Sequence, residues 1–130
     1  MSKLLGIDYG KRRVGLAVSD DLGRLAFPNV VLENDSSILE KIQKIIKDEN
    51  IDTIVVGESK NFKGEPNEIM KDIEEFVGIL KKENSARVFL EPEFMTSQQA
   101  ERIVGKNDMN DAGAASLILQ SFIDKRANSL

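Results

Sequence analysis

The 130-residue chain contains neither cysteine nor histidine. The lack of cysteine excludes a disulfide framework, a thiolate metal site and a cysteine nucleophile. The lack of histidine excludes an imidazole metal ligand, a histidine general base and a Ser-His-Asp triad. Any acid–base or metal chemistry must therefore come from carboxylates, lysines, water or the single tyrosine, Tyr9.

Long apolar runs are missing as well. No stretch of the sequence approaches the run of about 18 apolar residues that marks a membrane-spanning helix. The apolar stretch near the N-terminus is interrupted by Asp8 and is too short for the core of a signal peptide. We therefore expect no membrane partner and a cytoplasmic location.

The charge balance is slightly acidic, with 18 Lys and Arg against 22 Asp and Glu and a net charge of −4. This counts against a protein that coats nucleic acid with a basic surface, but an enzyme with one local basic patch remains compatible with it. The length predicts one domain, residues 1–130, that can bury a hydrophobic core without cross-links.

The hydrophobic pattern predicts an α/β fold. Strands are expected at residues 4–9, 13–19, 25–32, 51–56 and 87–90, and helices from Ser36 or Ser37 to 50, from Pro66 to about 80, from Thr96 over a short stretch, and from 108 to 125. The short link at 10–12 indicates a hairpin, and Pro28 inside the third strand indicates an edge strand or a bulge. This order predicts a mixed sheet, an antiparallel three-strand meander followed by parallel strands, with helices on its faces.

Three acidic residues lie at the ends of predicted elements. Asp8 ends the first strand, Glu93 follows the last strand, and Asp111 lies in the first turn of the last helix. Each has an ordinary explanation: a turn residue, a solvated loop acid, and an acid favoured by the helix dipole. As a set, they lie where such elements meet at one sheet edge, the usual ligand position. Carboxylates suit Mg²⁺ or Mn²⁺, and two such ions can hydrolyse a phosphodiester.

Basic and polar residues occur near the first of these acids and in a later loop. Three consecutive cations, Lys11, Arg12 and Arg13, follow Asp8 closely. Charge runs usually form a solvated surface, but cations next to a carboxylate site could also hold phosphates. In the later loop, the aromatic Phe62 between two lysines is suited to stacking on a base, although a plain surface loop explains it equally. The candidate nucleic-acid-binding residues are Lys11 and Arg12 after the first strand, and Lys60, Asn61 and Lys63 in the loop.

Several segments carry a resemblance to a known family, in order along almost the whole chain. They are LGIDYGKRRVGLAVSD at 5–20, VVG at 55–57, NFKG at 61–64, Glu93 with Thr96 and Ser97, and Asp111 with AASLILQSF at 114–122. Together they resemble the Holliday-junction-resolvase-like family, whose members are mostly described as pre-16S ribosomal RNA nucleases. The resemblance implies a ribonuclease-H-like fold, with Asp8, Glu93 and Asp111 as catalytic, metal-binding acids. It also implies Mg²⁺ or Mn²⁺ as cofactor and structured RNA, branched DNA or ribosomal precursor particles as partners.

The sequence departs from this family in two places. The family usually has Asp-Glu-Arg-Leu-Thr around its second acid, where this chain has PEFMT at 92–96, and Glu91 is a candidate substitute for the missing Asp. The basic loop before the last helix is short and has a single lysine, Lys106. We expect weaker phosphate binding at that loop or a different substrate.

Three functions fit the sequence. The first is a metal-dependent nuclease, acting in 5′-end maturation of 16S ribosomal RNA precursor or, alternatively, on four-way DNA junctions. The second is a phosphotransferase, because Asp8 and the glycines that follow resemble the first phosphate motif of actin-like ATPases and sugar kinases. Those enzymes close two such domains around ATP, and 130 residues provide only one. The third is a nucleic-acid or ribosome-binding protein with little catalysis.

Overall fold

A mixed β-sheet forms the centre of the protein. The computed structural model describes residues 3–58, 69–83, 86–92 and 110–128. The strands are β1 (Lys3–Tyr9), β2 (Arg13–Ser19), β3 (Ala26–Glu33), β4 (Ile51–Glu58) and β5 (Arg87–Pro92), and the helices are α1 (Ile38–Asp48), α2 (Ile69–Glu83) and α3 (Asn110–Asn128). Among these described helices, none is both long enough and apolar enough to span a bilayer.

The strand order in the sheet is β3-β2-β1-β4-β5. β2 pairs antiparallel with both β1 and β3, whereas β4 pairs parallel with β1 and β5 pairs parallel with β4. The predicted meander followed by parallel strands is confirmed. Because β1, β4 and β5 run in the same direction, their carboxyl ends lie at one edge of the sheet.

Successive side chains of β1 point alternately into two hydrophobic cores, one on each face of the sheet. Leu5 and Ile7 belong to the larger core, which α1 and α2 cover, and Leu4 belongs to the core beneath α3. Successive strand residues point to opposite faces. Asp8 is therefore on the α3 face of the sheet. The core beneath α3 consists of Leu4, Ala17, Val55, Ala115, Ile118, Leu119 and Ile123.

The position of Pro28 is confirmed on both counts. It lies in the edge strand β3, where a residue without an N–H is tolerated. The register also shifts there, since Pro28 pairs with Ala17 while Val30 pairs with Leu16. One extra residue, Asn29, therefore bulges from the edge strand.

α1 has one of the two predicted serines as its N-cap residue, but the capping hydrogen bond is absent and the helix ends earlier than predicted. Ser37 is the N-cap residue, but its side chain makes no capping hydrogen bond. Its hydroxyl instead donates to Asp35 Oδ1 at 2.6 Å and its backbone N–H donates to the same oxygen at 2.9 Å. These two bonds lower the pKa of Asp35. The helix ends at Asp48 rather than at residue 50, and Asn50 has a φ of 56°, a left-handed conformation that cannot continue a helix.

The remaining helices follow the predicted hydrophobic pattern. In α2, the buried residues are Met70, Ile73, Phe76, Val77 and Leu80. The last helix extends to residue 128, three residues beyond the predicted end at 125. The predicted helix start at Pro66 and the short helix from Thr96 lie outside the described residues.

Candidate active site

Asp8 lies near the end of the central strand and is half-buried on the α3 face. Its partner across the antiparallel ladder is Gly15 on β2. Directly opposite residues in such a ladder have Cα atoms about 4.5 to 5.5 Å apart. Whatever packs on Gly15 therefore lies beside Asp8.

Gly15 is covered by the first turn of α3. A Cβ atom at this position would overlap the carbonyl group of Asp111 and would lie 2.7 Å from the backbone nitrogen of Ala112. Further along α3, a Cβ on Gly6 would lie 2.8 Å from both the Ala115 carbonyl oxygen and Leu119 Cβ. These two glycines let the helix backbone approach the sheet more closely than any side chain would permit.

The close approach places the backbone of Asp111 over Gly15, the ladder partner of Asp8. Asp8 and Asp111 are therefore neighbours on this face of the sheet, because Asp111 packs on the glycine that pairs with Asp8. The Asp111 side chain is 38% exposed and Asp8 is partly exposed, so a ligand can reach both. Glu93, the third predicted acid, lies outside the described residues. Within residues 3–58, 69–83, 86–92 and 110–128, no three acids lie close enough to hold a metal ion.

Side chains near the other end of α3 fix the helix on the sheet. Gln120 Oε1 accepts a hydrogen bond from the backbone N–H of Ala26 at 2.8 Å, and its Nε2 donates to the Arg24 carbonyl at 3.0 Å. The Glu91 side chain is only 6% exposed, and its carboxylate accepts hydrogen bonds from Lys125 Nζ at 2.6 Å and from Ser121 Oγ at 3.0 Å. These contacts to β3 and β5 hold α3 in the orientation that places Asp111.

Lys11 and Arg12 lie exposed in the turn between β1 and β2. The backbone N–H of Gly10 donates to the Arg13 carbonyl at 3.0 Å and closes the turn. Asn34, just after β3, binds the turn from the side. Its amide Nδ2 donates to the Gly10 carbonyl at 2.7 Å, and its backbone N–H donates to the Arg12 carbonyl at 2.9 Å. The basic turn therefore has a fixed backbone. The other candidates, Lys60, Asn61 and Lys63, lie outside the described residues.

Sequence reasoning included Arg13 in the run of three cations after Asp8 but did not place it beside Asp111, and it missed Asn34. Arg13 Nε lies 3.7 Å from Asp111 Oδ2. The alternation of β2 indicates that Arg13 lies near Asp8, because Arg13 shares a strand face with Gly15, which pairs with Asp8. Nothing local in the sequence identified Asn34, whose partners precede it by 22 and 24 residues.

A family model described as "RuvX: Holliday junction resolvase" matches residues 2–125. The chain belongs to the RuvX family. One relative, from Sulfurihydrogenibium sp. (strain YO3AOP1), is named "Putative pre-16S rRNA nuclease" and is 36% identical, with 96% of this chain and 92% of that protein covered. A relative of the same name from Geobacillus kaustophilus (strain HTA426) is 32% identical, with 95% and 99% covered.

Solved structures support the fold of this RuvX chain. It is similar to the structure described as "T. thermophilus RuvC in complex with Holliday junction substrate", with a TM-score of 0.64 and 16% identity. The match covers 99% of this chain and 98% of the other. The predicted ribonuclease-H-like fold is thereby confirmed.

Proposed function

We propose that this RuvX protein is a metal-dependent nuclease that hydrolyses nucleic-acid phosphodiesters, with 5′-end maturation of 16S ribosomal RNA precursor as its task. The observation that carries the proposal is the packing of Asp111 on Gly15, directly beside Asp8. The names of the full-length relatives support the RNA substrate. A cytoplasmic location fits such a substrate.

The donor groups at this site fit Mg²⁺ or Mn²⁺. Asp8 and Asp111 present hard carboxylate oxygens, which these ions prefer, and both are accessible. We assign Glu93 as the third ligand, on the strength of the family resemblance. When bound, a pair of such ions supplies the Lewis acid that activates water and stabilises the leaving oxygen.

The protein's own residues position the ions and the substrate. The central strand holds Asp8, and the first turn of α3 holds Asp111, so neither carboxylate depends on a long loop. Lys11 and Arg12 would bind phosphates that flank the cleaved bond, on a turn whose backbone Asn34 fixes. We assign Lys60, Asn61 and Lys63 to the same substrate path.

The direct test incubates purified protein with 16S ribosomal RNA precursor and, separately, with a four-way DNA junction. We expect Mg²⁺- or Mn²⁺-dependent cleavage of the RNA and no cleavage in excess chelator. Cleavage of the junction alone would make the protein a resolvase, the activity that the family description names. Binding of either substrate without cleavage would leave a nucleic-acid-binding protein, and protection against thermal unfolding by ATP would favour a phosphotransferase.

Charge reversal in the basic turn should weaken nucleic-acid binding. Lys11→Glu and Arg12→Glu each remove one phosphate contact, so the slope of log affinity against log salt should fall by roughly 0.7 to 0.9 per residue. The measurement is RNA affinity across a salt series, with the thermal midpoint as a check on folding. Both side chains are exposed, so stability should barely change. Unchanged affinity would reduce the patch to a solvated hairpin.

Asn34→Ala should weaken binding in a different manner. The variant keeps both cations but loses the 2.7 Å hydrogen bond to the Gly10 carbonyl, so the turn becomes less ordered. We expect lower RNA affinity with an unchanged salt slope, and a loss of about 1 kcal/mol of stability. The matched control is Asn29→Ala, at the exposed bulge of β3, which should alter neither quantity. A salt slope that falls as far as in Arg12→Glu would contradict this role.

A further inference from the structure

Arg13 differs from the other two cations of the first hairpin in its location. Lys11 and Arg12 lie in the turn, whereas Arg13 begins β2 and shares a strand face with Gly15. Because Gly15 pairs with Asp8, Arg13 is a diagonal neighbour of Asp8 on that face. Its Nε also lies 3.7 Å from Asp111 Oδ2. The guanidinium group is therefore next to both described acids of the proposed active site.

The contact between Arg13 and Asp111 is a weak structural interaction. A separation of 3.7 Å is longer than a hydrogen bond, and the two side chains are 52% and 38% exposed. Ion pairs of this kind contribute little to stability. A cation at this position also opposes binding of a metal ion at the same carboxylate. The contact with Asp111 therefore does not by itself explain why an arginine lies here.

The chemistry of arginine suggests a ligand instead. Its planar guanidinium fork matches the oxygens of a phosphate and can bind two of them at once. The backbone of Arg13 is held by the hydrogen bond that closes the hairpin and by pairing with Glu33 on β3. A half-exposed side chain on a fixed backbone can turn from Asp111 toward a phosphate bound above the two acids.

We propose that Arg13 is a phosphate-binding residue of the catalytic site that pairs with Asp111 when no metal is bound. Asp8 and Asp111 would hold the metal ion, and the Arg13 guanidinium group, released from Asp111, would then bind the non-bridging oxygens of the phosphate that is cleaved. This inference rests on the proposed nuclease function. Arg13 would then compete with the metal ion for Asp111 and also increase the cleavage rate. The two effects can be measured separately, as metal affinity and as cleavage rate.

The test measures Mn²⁺ affinity and cleavage rate for wild type, Arg13→Gln and Arg13→Lys. The glutamine variant removes a positive charge close to the metal site, so Mn²⁺ should bind more tightly, on the order of 3- to 10-fold. Its cleavage rate should nevertheless fall by about 10²- to 10³-fold, the usual cost of losing one donor to the reacting group. The lysine variant keeps the charge but lacks the fork, so its Mn²⁺ affinity should match wild type while cleavage falls by about 10-fold.

Arg24→Gln is the matched control, because Arg24 is exposed in the β2–β3 connection beyond the far end of β2. It loses the same charge and should leave Mn²⁺ affinity and cleavage unchanged.

If Arg13 had a purely structural role, Arg13→Gln would lower the thermal midpoint and would not tighten metal binding. Unchanged Mn²⁺ affinity in Arg13→Gln, or cleavage by that variant within about twofold of an active wild type, overturns the inference alone. Absence of cleavage by the wild type overturns the proposed function and, with it, Arg13 as a phosphate ligand.

Discussion

Asp8→Asn is expected to lower the rate of metal-dependent cleavage by about 10³-fold or more, because the lost carboxylate is one of the few ligands for the ions that carry the chemistry. Asparagine has nearly the same size and keeps much of the hydrogen bonding, but it removes the negative charge. Because the chain contains no histidine or cysteine, no imidazole or thiolate can replace the lost ligand. The fold should survive, and in chelator the thermal midpoint should be unchanged or higher, since clustered carboxylates repel one another.

The comparison needs cleavage rates and thermal midpoints for both proteins, with Mg²⁺ and with chelator. Asp52→Asn is the matched control, because Asp52 is an exposed acid near the start of β4, at the opposite edge of the sheet from Asp8. It should cleave at the wild-type rate. Cleavage by Asp8→Asn at the wild-type rate, or undiminished wild-type cleavage in excess chelator, would disprove the two-metal mechanism. The binding-protein interpretation would then replace it.

The fold could be predicted from the sequence because its signals are local and periodic. The apolar run of β1, the alternation in β2 and the helical stripe of α2 can each be recognised from neighbouring residues, and sequence order then restricts the topology. Even Pro28 could be placed, since a residue without an N–H is tolerated at an edge or a bulge. Where local groups compete, the prediction was less accurate: the Ser37 hydroxyl is oriented toward Asp35, to which it donates, and it accepts no capping hydrogen bond from the first turn of α1.

The candidate site could be predicted only in part, because contacts between distant segments build it. Asp8 and Asp111 could be named from their positions at element ends, but their closeness depends on Gly15, which ordinary strand alternation does not distinguish. The helix that covers this glycine begins more than 90 residues later. Arg13 became a site residue for the same reason, since its partner Asp111 comes from α3. The roles of all these residues stay predictions until they are measured.

Gly15→Ala should destabilise the fold more than Asp8→Asn or any of the charge substitutions in the first hairpin, and it should also abolish cleavage. The added methyl group would overlap the Asp111 carbonyl, which is backbone and cannot rotate away as a side chain can. Either α3 moves off the sheet, or β2 distorts. Overpacking of this kind costs about 1 to 3 kcal/mol, occasionally more. For a domain of this length, that corresponds to a fall in the thermal midpoint of roughly 3 to 15 °C.

The same substitution elsewhere in the chain should have the opposite effect. Gly78 lies exposed in α2, where an added Cβ meets nothing within 4 Å. Alanine there should stabilise the helix by about 0.5 to 1 kcal/mol, because glycine is the poorer helix former. Thermal midpoints and cleavage rates of the two alanine variants separate a general effect of the methyl group from the close approach at Gly15.

If Gly15→Ala unfolds at the wild-type temperature and cleaves normally, α3 does not lie against Gly15, and Asp111 does not lie beside Asp8. If Gly15→Ala is destabilised yet keeps full cleavage at low temperature, the carboxylates tolerate a shift of the helix, and the site is less dependent on this contact than the packing indicates.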